Sequence, residues 1–368
     1  MKVRSSKLRV GDWVEVRSKD EILRTLDDEG RLDGMPFMPE MFAFCGKRFQ
    51  VYKRAHKTCD TVYPVRGRRV DRAIHLDTRC DGSAHGGCQA SCLLFWKDAW
   101  VIPVSGPHPN TRQGQVASNP GKSVPTPQCT EASLVAKSQT KDATGEPIYV
   151  CQATQLPYAT SSLEWWDTRQ YFEDYLSGNV GLRRIVSGGI YFLFLALSRL
   201  PVGGGTLRRL YDRFHGMWGG YPFPRQWGKI PEGEPTPAGE LDLQPGELVR
   251  IKPYKEILET LNTRNRNRGL YFDAEEVPYC GGEYRVLKRV TRIIHEKTGK
   301  MLEMKTPSLI LDSVICESRY SECRLFCPRS IYSYWREIWL ERVGPKSSSQ
   351  SLDTAAVAAQ QCEPASRR

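Results

Sequence analysis

The sequence lacks the motifs that mark several large enzyme classes. None of its six histidines forms an H-x-x-x-H or H-E-x-x-H pair, which argues against a metallohydrolase. It has no Walker phosphate loop, no G-x-G-x-x-G run and no G-x-S-x-G elbow, so nucleotide-dependent catalysis has no support. Glu40 and Glu275 recur in two similar segments, but both lie beside loops, where capping of backbone N–H groups explains them. The sequence therefore offers no catalytic residue.

A secretory signal and a long apolar run are also missing. The N-terminus is charged and has neither an apolar core nor a small-residue cleavage site, so we expect a cytoplasmic protein, at most peripheral to the inner membrane. The uncharged run at residues 185–198 would span ~21 Å as a helix, less than the ~30 Å of a bilayer core. Because cytoplasmic thiols stay reduced, patterned cysteines there indicate metal ligands or redox groups rather than disulfides.

Apolar material and positive charge are abundant. The chain of 368 residues is 40% hydrophobic and contains 9 Trp, 16 Tyr and 12 Phe, enough to build folded cores. Its formal net charge of +11 favours acidic partners such as an anionic membrane surface or nucleic acid. We expect nucleic acid to be the weaker candidate, because the basic residues are spread along the chain without a basic helix or a recognisable module.

The most informative feature is an internal repeat. Residues 8–54 align without a gap with residues 243–289, so that EILRTL lies on EILETL and FCGKRFQVYKR on YCGGEYRVLKR. Further on, FWKDAW at 95–100 matches YWREIW at 334–339. Self-similarity over this length predicts a duplication of domain size rather than a solenoid.

Each repeat has the pattern of a small β domain. A Gly-Asp or Gly-Glu turn precedes alternating Val and Ile, which predicts a strand, and an EIL-TL pattern at helical spacing then predicts a short helix. Residues 68–76 and 300–305 alternate again, beside Gly67 and Gly299, which we place in turns. We therefore predict an α+β chain of two duplicated, small β-barrel-like domains with cysteine-rich loops. The opening strand resembles that of Src-homology-type barrels, a resemblance that implies a fold and no function.

Eight of the twelve cysteines recur in both repeats. The alignment pairs Cys45 with Cys280, Cys80 with Cys316, Cys88 with Cys323 and Cys92 with Cys327. Four thiolates suit a structural Zn²⁺ site or an iron–sulfur cluster. We therefore predict two metal sites, one per repeat, with zinc as the metal and an iron–sulfur cluster as the alternative.

A second interpretation of these cysteines stays open. Their spacing is not that of a zinc ribbon or of a bacterial ferredoxin, and cysteines that serve only as small buried side chains would recur in the same way. His85 would replace one sulfur only in the first repeat, so we expect it to be a solvated loop residue. Cys59, Cys129, Cys151 and Cys362 do not recur and have no assigned role.

Composition divides the chain into six segments. They are an N-terminal repeat (1–104), a Pro/Ser/Gln-rich insert that we expect to be mainly linker (105–160), an aromatic and basic helical segment (161–230), a Pro-rich connector (231–240), the C-terminal repeat (241–345) and a disordered tail (346–368).

The helical segment has two features that suggest contact with a partner. Residues 161–176 predict a helix with spaced aromatics, ended by Ser-Gly-Asn. The apolar run at 185–198 is flanked by arginines and followed by Trp218, Tyr221 and Trp227. Cationic flanks around an apolar helix suit an anionic leaflet, contacted through residues 180–228, whereas a helix buried between the repeats has the same periodicity.

Three segments, 79–100, 165–179 and 326–343, resemble a family of bacterial proteins with duplicated cysteine-rich halves, and this resemblance implies no activity. From the residues we predict a non-catalytic, metal-stabilised scaffold or accessory protein that docks on a membrane surface or a partner protein. An iron–sulfur redox or electron-transfer protein is the alternative, and a nucleic-acid-binding protein is the second alternative.

Overall fold

The computed structural model describes residues 7–62, 66–108, 129–199, 204–217 and 221–344. Helix makes up 26% and strand 30% of the chain, and the main sheet is a curled antiparallel half-barrel. The chain is therefore a mixed helix and strand protein with a partly barrel-like sheet, as the sequence predicts at this level. Trp218, Cys362 and the predicted tail lie outside the described residues.

The N-terminal part is mainly β structure. Its elements are β1 (Trp13–Val16), α1 (Lys19–Leu23), β2 (Arg31–Leu32), β3 (Met35–Pro36), a 3-10 turn (Pro39–Phe44), β4 (Arg48–Arg54), β5 (Lys57–Asp60), β6 (Arg66–Arg69), β7 (Ala73–Arg79), β8 (Leu93–Lys97), a 3-10 turn (Asp98–Trp100) and β9 (Val101–Pro103). Helix α1 begins where the side chain of Ser18 accepts the N–H of Glu21 and Glu21 returns the bond, a capping box.

Five of these strands form one antiparallel sheet in the order β8-β7-β4-β1-β9. Val14 lies opposite Phe49 on one side and Pro103 on the other, and the alternation of β1 buries Val14 and Val16 completely. The register shifts between Val51 and Lys53, an irregularity that increases twist and curls a sheet. The curl encloses a core that includes the fully buried Trp96 and Trp100.

The middle of the chain contributes short strands and most of the helix. Its elements are α2 (Glu131–Lys137), β10 (Gln139–Lys141), β11 (Pro147–Tyr149), α3 (Gln152–Ala159), β12 (Ser161–Leu163), α4 (Arg169–Leu176), α5 (Leu182–Ser198) and α6 (Gly204–Met217). Residues 129–159 of the predicted insert are folded, and Cys129, Leu134 and Leu156 among them are buried in the N-terminal core.

Two local predictions, one in this region and one in the N-terminal part, were wrong. The helix predicted at 161–176 is confined to α4, because residues 161–163 are extended and pair with β6 as an edge strand. Gly67 lies inside β6 rather than in a turn. A Cβ at Gly67 would lie 2.9 Å from the carbonyl oxygen of Leu163 and 3.1 Å from that of Cys323, so glycine is required by the close approach of two backbones.

The C-terminal part has a similar order of elements, with two long strands where the N-terminal part has the four shorter strands β4, β5, β6 and β7. Its elements are β13 (Leu248–Ile251), α7 (Tyr254–Glu259), β14 (Arg266–Asn267), β15 (Leu270–Tyr271), a 3-10 turn (Ala274–Tyr279), β16 (Glu283–Ile294), β17 (Met301–Ile315), β18 (Tyr332–Trp335), a 3-10 turn (Glu337–Trp339) and β19 (Leu340–Arg342). The sheet order is β18-β17-β16-β13-β19, and the fully buried Trp335 and Trp339 belong to its core.

The N-terminal and C-terminal parts contact each other through reciprocal hydrogen bonds. The ammonium group of Lys53 donates to Ser330 Oγ at 3.1 Å, and that of Lys288 donates to Ser91 Oγ at 2.7 Å. The buried ammonium of Lys57 donates to Asp174 on α4 at 2.6 Å and to the carbonyl oxygen of Leu325 at 2.8 Å. The predicted cysteine loops therefore lie close to the contact between the two parts.

Candidate functional site

The loop after β7 brings three predicted metal ligands to one place. The N–H of Cys80 donates to the carbonyl oxygen of Cys92 at 2.9 Å, which closes the loop at its base. Gly82 has φ +75°, and a Cβ there would lie 2.1 Å from the carbonyl oxygen of Cys88. Only glycine fits this turn. The sequence CDGSAHGGC therefore folds back on itself and places Cys80, Cys88 and Cys92 around one cavity.

Glu40 and His85 join Cys80 at this loop. The Oε1 atom of Glu40, on the first 3-10 turn, lies 2.6 Å from His85 Nδ1 and accepts the N–H of Ala84 at 3.1 Å. Cys80 Sγ is 3.8 Å from the same oxygen. His85 Nε2 lies 3.1 Å from the carbonyl oxygen of Val150. Within the described ranges, Glu40, Cys80 and His85 are the one group of three Asp, Glu, His or Cys side chains whose ligand atoms all lie within 4.8 Å of one another.

His85 is buried, so the expectation of a solvated loop histidine was wrong. Its side chain is 1% exposed, and that of Glu40 is 2% exposed. The physical reason is Val150, whose carbonyl oxygen comes from the ordered insert and covers the ring. No local sequence pattern indicates this contact, because 65 residues separate the two positions.

Four thiols line the same small cavity, which has a volume of about 30 Å³. Cys151, from the N-terminal end of α3, takes part together with Cys80, Cys88 and Cys92. Burial raises the pKa of Cys92 to about 12 and that of Cys151 to about 11, and it raises the pKa of Cys80 further. The thiols of Cys80, Cys92 and Cys151 are therefore protonated at neutral pH unless a cation displaces the proton.

Cys45 is placed differently. It ends the first 3-10 turn and packs against the N-terminal hydrophobic core, and burial raises its pKa. Its counterpart Cys280 ends the matching turn and packs against the C-terminal core. Cys45 and Cys280 therefore have the contacts of core residues.

The other predicted ligands of the C-terminal part are spread. Cys316 follows β17, and Cys327 is buried beside Cys59 of the N-terminal part, with a hydrogen bond between the two thiols. This bond, followed by the charge of Arg329, lowers the pKa of Cys59. Cys323 is exposed. Cys59 has no counterpart in the C-terminal repeat, so recurrence could not assign it a role. In the structure Cys59 forms part of the contact between the two parts.

Backbone hydrogen bonds indicate which residues of the two cysteine loops correspond, and these pairs differ from those of the sequence alignment. The N–H of Cys80 donates to Cys92, but that of Cys316 donates to Ile331. The N–H groups of Cys88 and Cys327 each donate to the residue three positions earlier, His85 and Arg324 respectively, both at 3.2 Å. By these backbone bonds Cys88 corresponds to Cys327, whereas the side chain beside the matching glutamate is that of Ser321, whose hydroxyl donates to Glu275 Oε1 at 3.1 Å.

A second candidate site is the surface of α5 and α6. Five apolar side chains of α5 are between 46% and 64% exposed: Leu182, Val186, Ile190, Leu193 and Leu197. At about 100° per residue they fall within an arc of about 80° on one face of the helix. Leu210 and Met217 extend the exposed apolar surface along α6, at 58% and 68% exposure. The opposite side of α5 packs on the C-terminal part, where a Cβ at Gly188 would lie 2.7 Å from Phe326.

Arginines flank this apolar surface. Arg183, Arg209 and Arg213 are exposed, and within the described ranges none of them has a carboxylate within ion-pair distance. Arg184 and Arg199, by contrast, are paired with Glu317 and Glu322. No described helix has both the length and the apolar character needed to cross a bilayer. The surface thus combines exposed apolar side chains with unneutralised positive charge.

The chain matches no protein-family model and no curated protein sequence.

Proposed function

We propose that this protein is a non-catalytic accessory protein that docks on an anionic membrane surface through the exposed faces of α5 and α6. The observation that carries the proposal is the apolar arc of α5, which five large side chains expose to solvent along the whole helix. Large exposed apolar patches on folded proteins mark interaction sites.

The charge beside the arc supports a membrane as the partner. Arg183 lies one residue beyond the first apolar position, and Arg209 and Arg213 follow one side of α6. Each cation near an anionic leaflet contributes about 1 kcal/mol, and apolar side chains enter the boundary between headgroups and acyl chains. At 17 residues, α5 is ~26 Å long, which suits a helix lying in the plane of the interface.

Other functions have weaker support. An iron–sulfur protein needs four thiolates around each cluster, whereas the tightest described group of ligands mixes oxygen, nitrogen and sulfur. Binding of nucleic acid needs a basic groove with stacking aromatics, and the exposed arginines here border an aliphatic surface instead. The two parts of the chain, with the same strand order, support a duplicated scaffold that holds the docking surface.

Flotation with vesicles tests the proposal. We expect the full chain to float with vesicles rich in phosphatidylserine and to bind much less to phosphatidylcholine vesicles. Ile190→Glu, at the most exposed position of the arc, should abolish flotation, because a carboxylate there opposes both burial and the anionic leaflet. Leu302→Glu is the matched control, since Leu302 is 48% exposed on β17 and should leave binding unchanged.

The charge contribution is tested separately. Replacing Arg209 and Arg213 with Gln together should weaken binding more than tenfold at low salt, from about 1 kcal/mol per residue. Absence of flotation by the parent chain, or equal binding of the Ile190→Glu variant, would reject the membrane as the partner.

A further inference from the structure

We propose that Glu40, Cys80 and His85 form a binding site for one zinc ion, completed by a thiol of the same cavity. The inference is independent of the docking surface on α5 and α6, and either proposal stands if the other fails. The inference also differs from the prediction of two equivalent four-cysteine metal sites. It assigns a carboxylate and an imidazole as ligands, and it confines the metal to the N-terminal part.

The donor atoms suit zinc. Carboxylate oxygen, imidazole nitrogen and thiolate sulfur are the three ligand types that Zn²⁺ accepts in tetrahedral sites. The ligand atoms of Glu40, Cys80 and His85 all lie within 4.8 Å of one another, so small side-chain movements bring them to one ion.

The environment of His85 matches that of a ligating histidine. Nε2 lies 3.1 Å from the carbonyl oxygen of Val150 and can donate its hydrogen there. Nδ1 lies 2.6 Å from Glu40 Oε1, so without a metal a proton lies between these two atoms, and a bound zinc ion would displace that proton and take up the lone pair of Nδ1. Ligating histidines characteristically donate their other ring N–H to a backbone carbonyl or a carboxylate. The ring is 1% exposed, so this orientation is held by packing as well as by the hydrogen bond.

An orphaned oxygen is the independent observation that points to a cation. Glu40 Oε1 is shared by Ala84 and His85, but Oε2 is buried and has no hydrogen-bond partner among the described residues. A buried carboxylate oxygen without a partner is costly, and most such atoms in folded proteins are satisfied. A zinc ion bound beside Cys80 would supply the missing partner.

The fourth ligand comes from the thiols around the cavity. Cys88, Cys92 and Cys151 line it together with Cys80 and His85. The sulfur of Cys88 also accepts the N–H of Ile294 at 3.3 Å, a hydrogen bond that is compatible with metal ligation by a thiolate. These three thiols are the candidates, and single substitutions distinguish them.

The C-terminal part does not offer the same site. Glu275 uses both oxygens, since Oε2 accepts the N–H of Arg319 at 2.7 Å and Oε1 accepts that of Tyr320 at 2.6 Å. The hydroxyl of Ser321, which donates to Glu275 Oε1 at 3.1 Å, takes the place that His85 has beside Glu40, and a serine hydroxyl is not among the usual zinc ligands. We therefore expect one zinc per chain.

Metal analysis and zinc titration of the full-length chain test this site. Protein purified without chelator should contain one zinc per chain. After chelator treatment it should rebind one equivalent in competition with a chromophoric indicator. Cys80→Ser and His85→Gln should lose the bound zinc, whereas Cys316→Ser and Cys45→Ser should keep it. Of Cys88→Ser, Cys92→Ser and Cys151→Ser, one should weaken zinc binding at least as much as loss of an outer-shell partner, about 10–100-fold.

Substitution of Co²⁺ for zinc keeps the test decisive if a variant folds poorly. The parent chain should give the visible bands of tetrahedral cobalt with thiolate ligation, and Glu40→Gln should shift these bands because it changes an oxygen ligand. The inference is overturned by zinc retained in both Cys80→Ser and His85→Gln, by equal loss in Cys316→Ser, by two zinc ions per chain, or by iron with acid-labile sulfide. A chain that binds no metal overturns it as well.

Discussion

The N-terminal and C-terminal parts share a strand order but use one buried glutamate in different ways. In the N-terminal part Glu40 faces His85 and Cys80 and leaves one oxygen without a partner. In the C-terminal part Glu275 caps a loop, and backbone N–H groups satisfy both of its oxygens. The same residue at the same place in the fold is thus a candidate ligand in one part and a structural cap in the other.

The difference shows what determines whether a glutamate at this repeated position is a candidate metal ligand or a cap for backbone N–H groups. Both glutamates lie at equivalent places in a 3-10 turn that precedes a long strand. What differs is the loop that folds over them. In the N-terminal part the glycines of that loop allow a tight turn that directs His85 inward, whereas the other loop presents the N–H groups of Arg319 and Tyr320. The covering loop, rather than the scaffold, decides the chemistry.

The strongest test of the shared scaffold is removal of the matched tryptophans. Trp100 and Trp339 are both fully buried, and their indole N–H groups donate to Thr25 and Thr260 at 3.0 and 2.9 Å. Trp100→Ala and Trp339→Ala should each destabilise the chain by about 3–5 kcal/mol, because a large cavity remains. Chemical denaturation measures the loss, and Trp227→Ala, at a 63% exposed position, is the control. A cost below about 1 kcal/mol in one variant only would show that the two cores are not equivalent.

Substitution of the two glutamates should have a smaller effect on stability than loss of the tryptophans, and the effect should differ between the two parts. In chelator-treated protein, Glu275→Gln should cost about 1–3 kcal/mol, because the new amide group meets a backbone N–H whichever way it is turned. Glu40→Gln should cost less than about 1 kcal/mol, since the amide oxygen can replace Oε1 while the NH₂ group occupies the place of the orphaned Oε2. Thermal unfolding of both variants without metal measures the difference. Equal costs would mean that Glu40 is as fully satisfied as Glu275.

Local patterns allowed the repeated elements to be predicted. The Gly-Asp or Gly-Glu turn and the alternation that follows are β1 and β13, and the EIL-TL pattern is α1 and α7. These features depend on side-chain period and capping, which a short segment of sequence contains. The order of strands in the sheet and the curl of the sheet depend on pairing between distant segments.

The candidate metal site was only partly predictable for the same reason. Cys80 stood out by its recurrence, but Glu40 and His85 become ligands only because the insert at Val150 closes over them. The alignment also matched Cys88 with Cys323, although backbone bonds place Cys327 there, because the two loops differ in length. Spacing between cysteines does not reveal which of them a loop directs inward. Cys151 lies outside both repeats, so recurrence could not identify it.

Acid sensitivity gives the smallest contrast between the two parts. Glu337 Oε1 and Oε2 accept the N–H groups of Leu243 and Leu241 at 3.2 and 2.8 Å, and Arg289 donates to Oε1 at 2.8 Å. Burial alone would raise the pKa of Glu337, but these hydrogen bonds and the charge of Arg289 outweigh it and lower the pKa below 4.5. The matching Asp98 is held by two hydrogen bonds from Arg54.

Because the folded-state pKa of Glu337 is depressed, its ionised form stabilises the fold at pH values above the unfolded pKa near 4.5, and this stabilisation is lost as the pH falls through the folded value. Glu337→Gln should therefore cost about 1 kcal/mol at neutral pH, and the difference from the parent chain should shrink on acidification. Urea unfolding at several pH values measures this, with the exposed Glu341→Gln as the control. If the difference in free energy of unfolding stays constant down to the acid transition, the cost of Glu337→Gln comes from altered packing and hydrogen bonding rather than from loss of the charge.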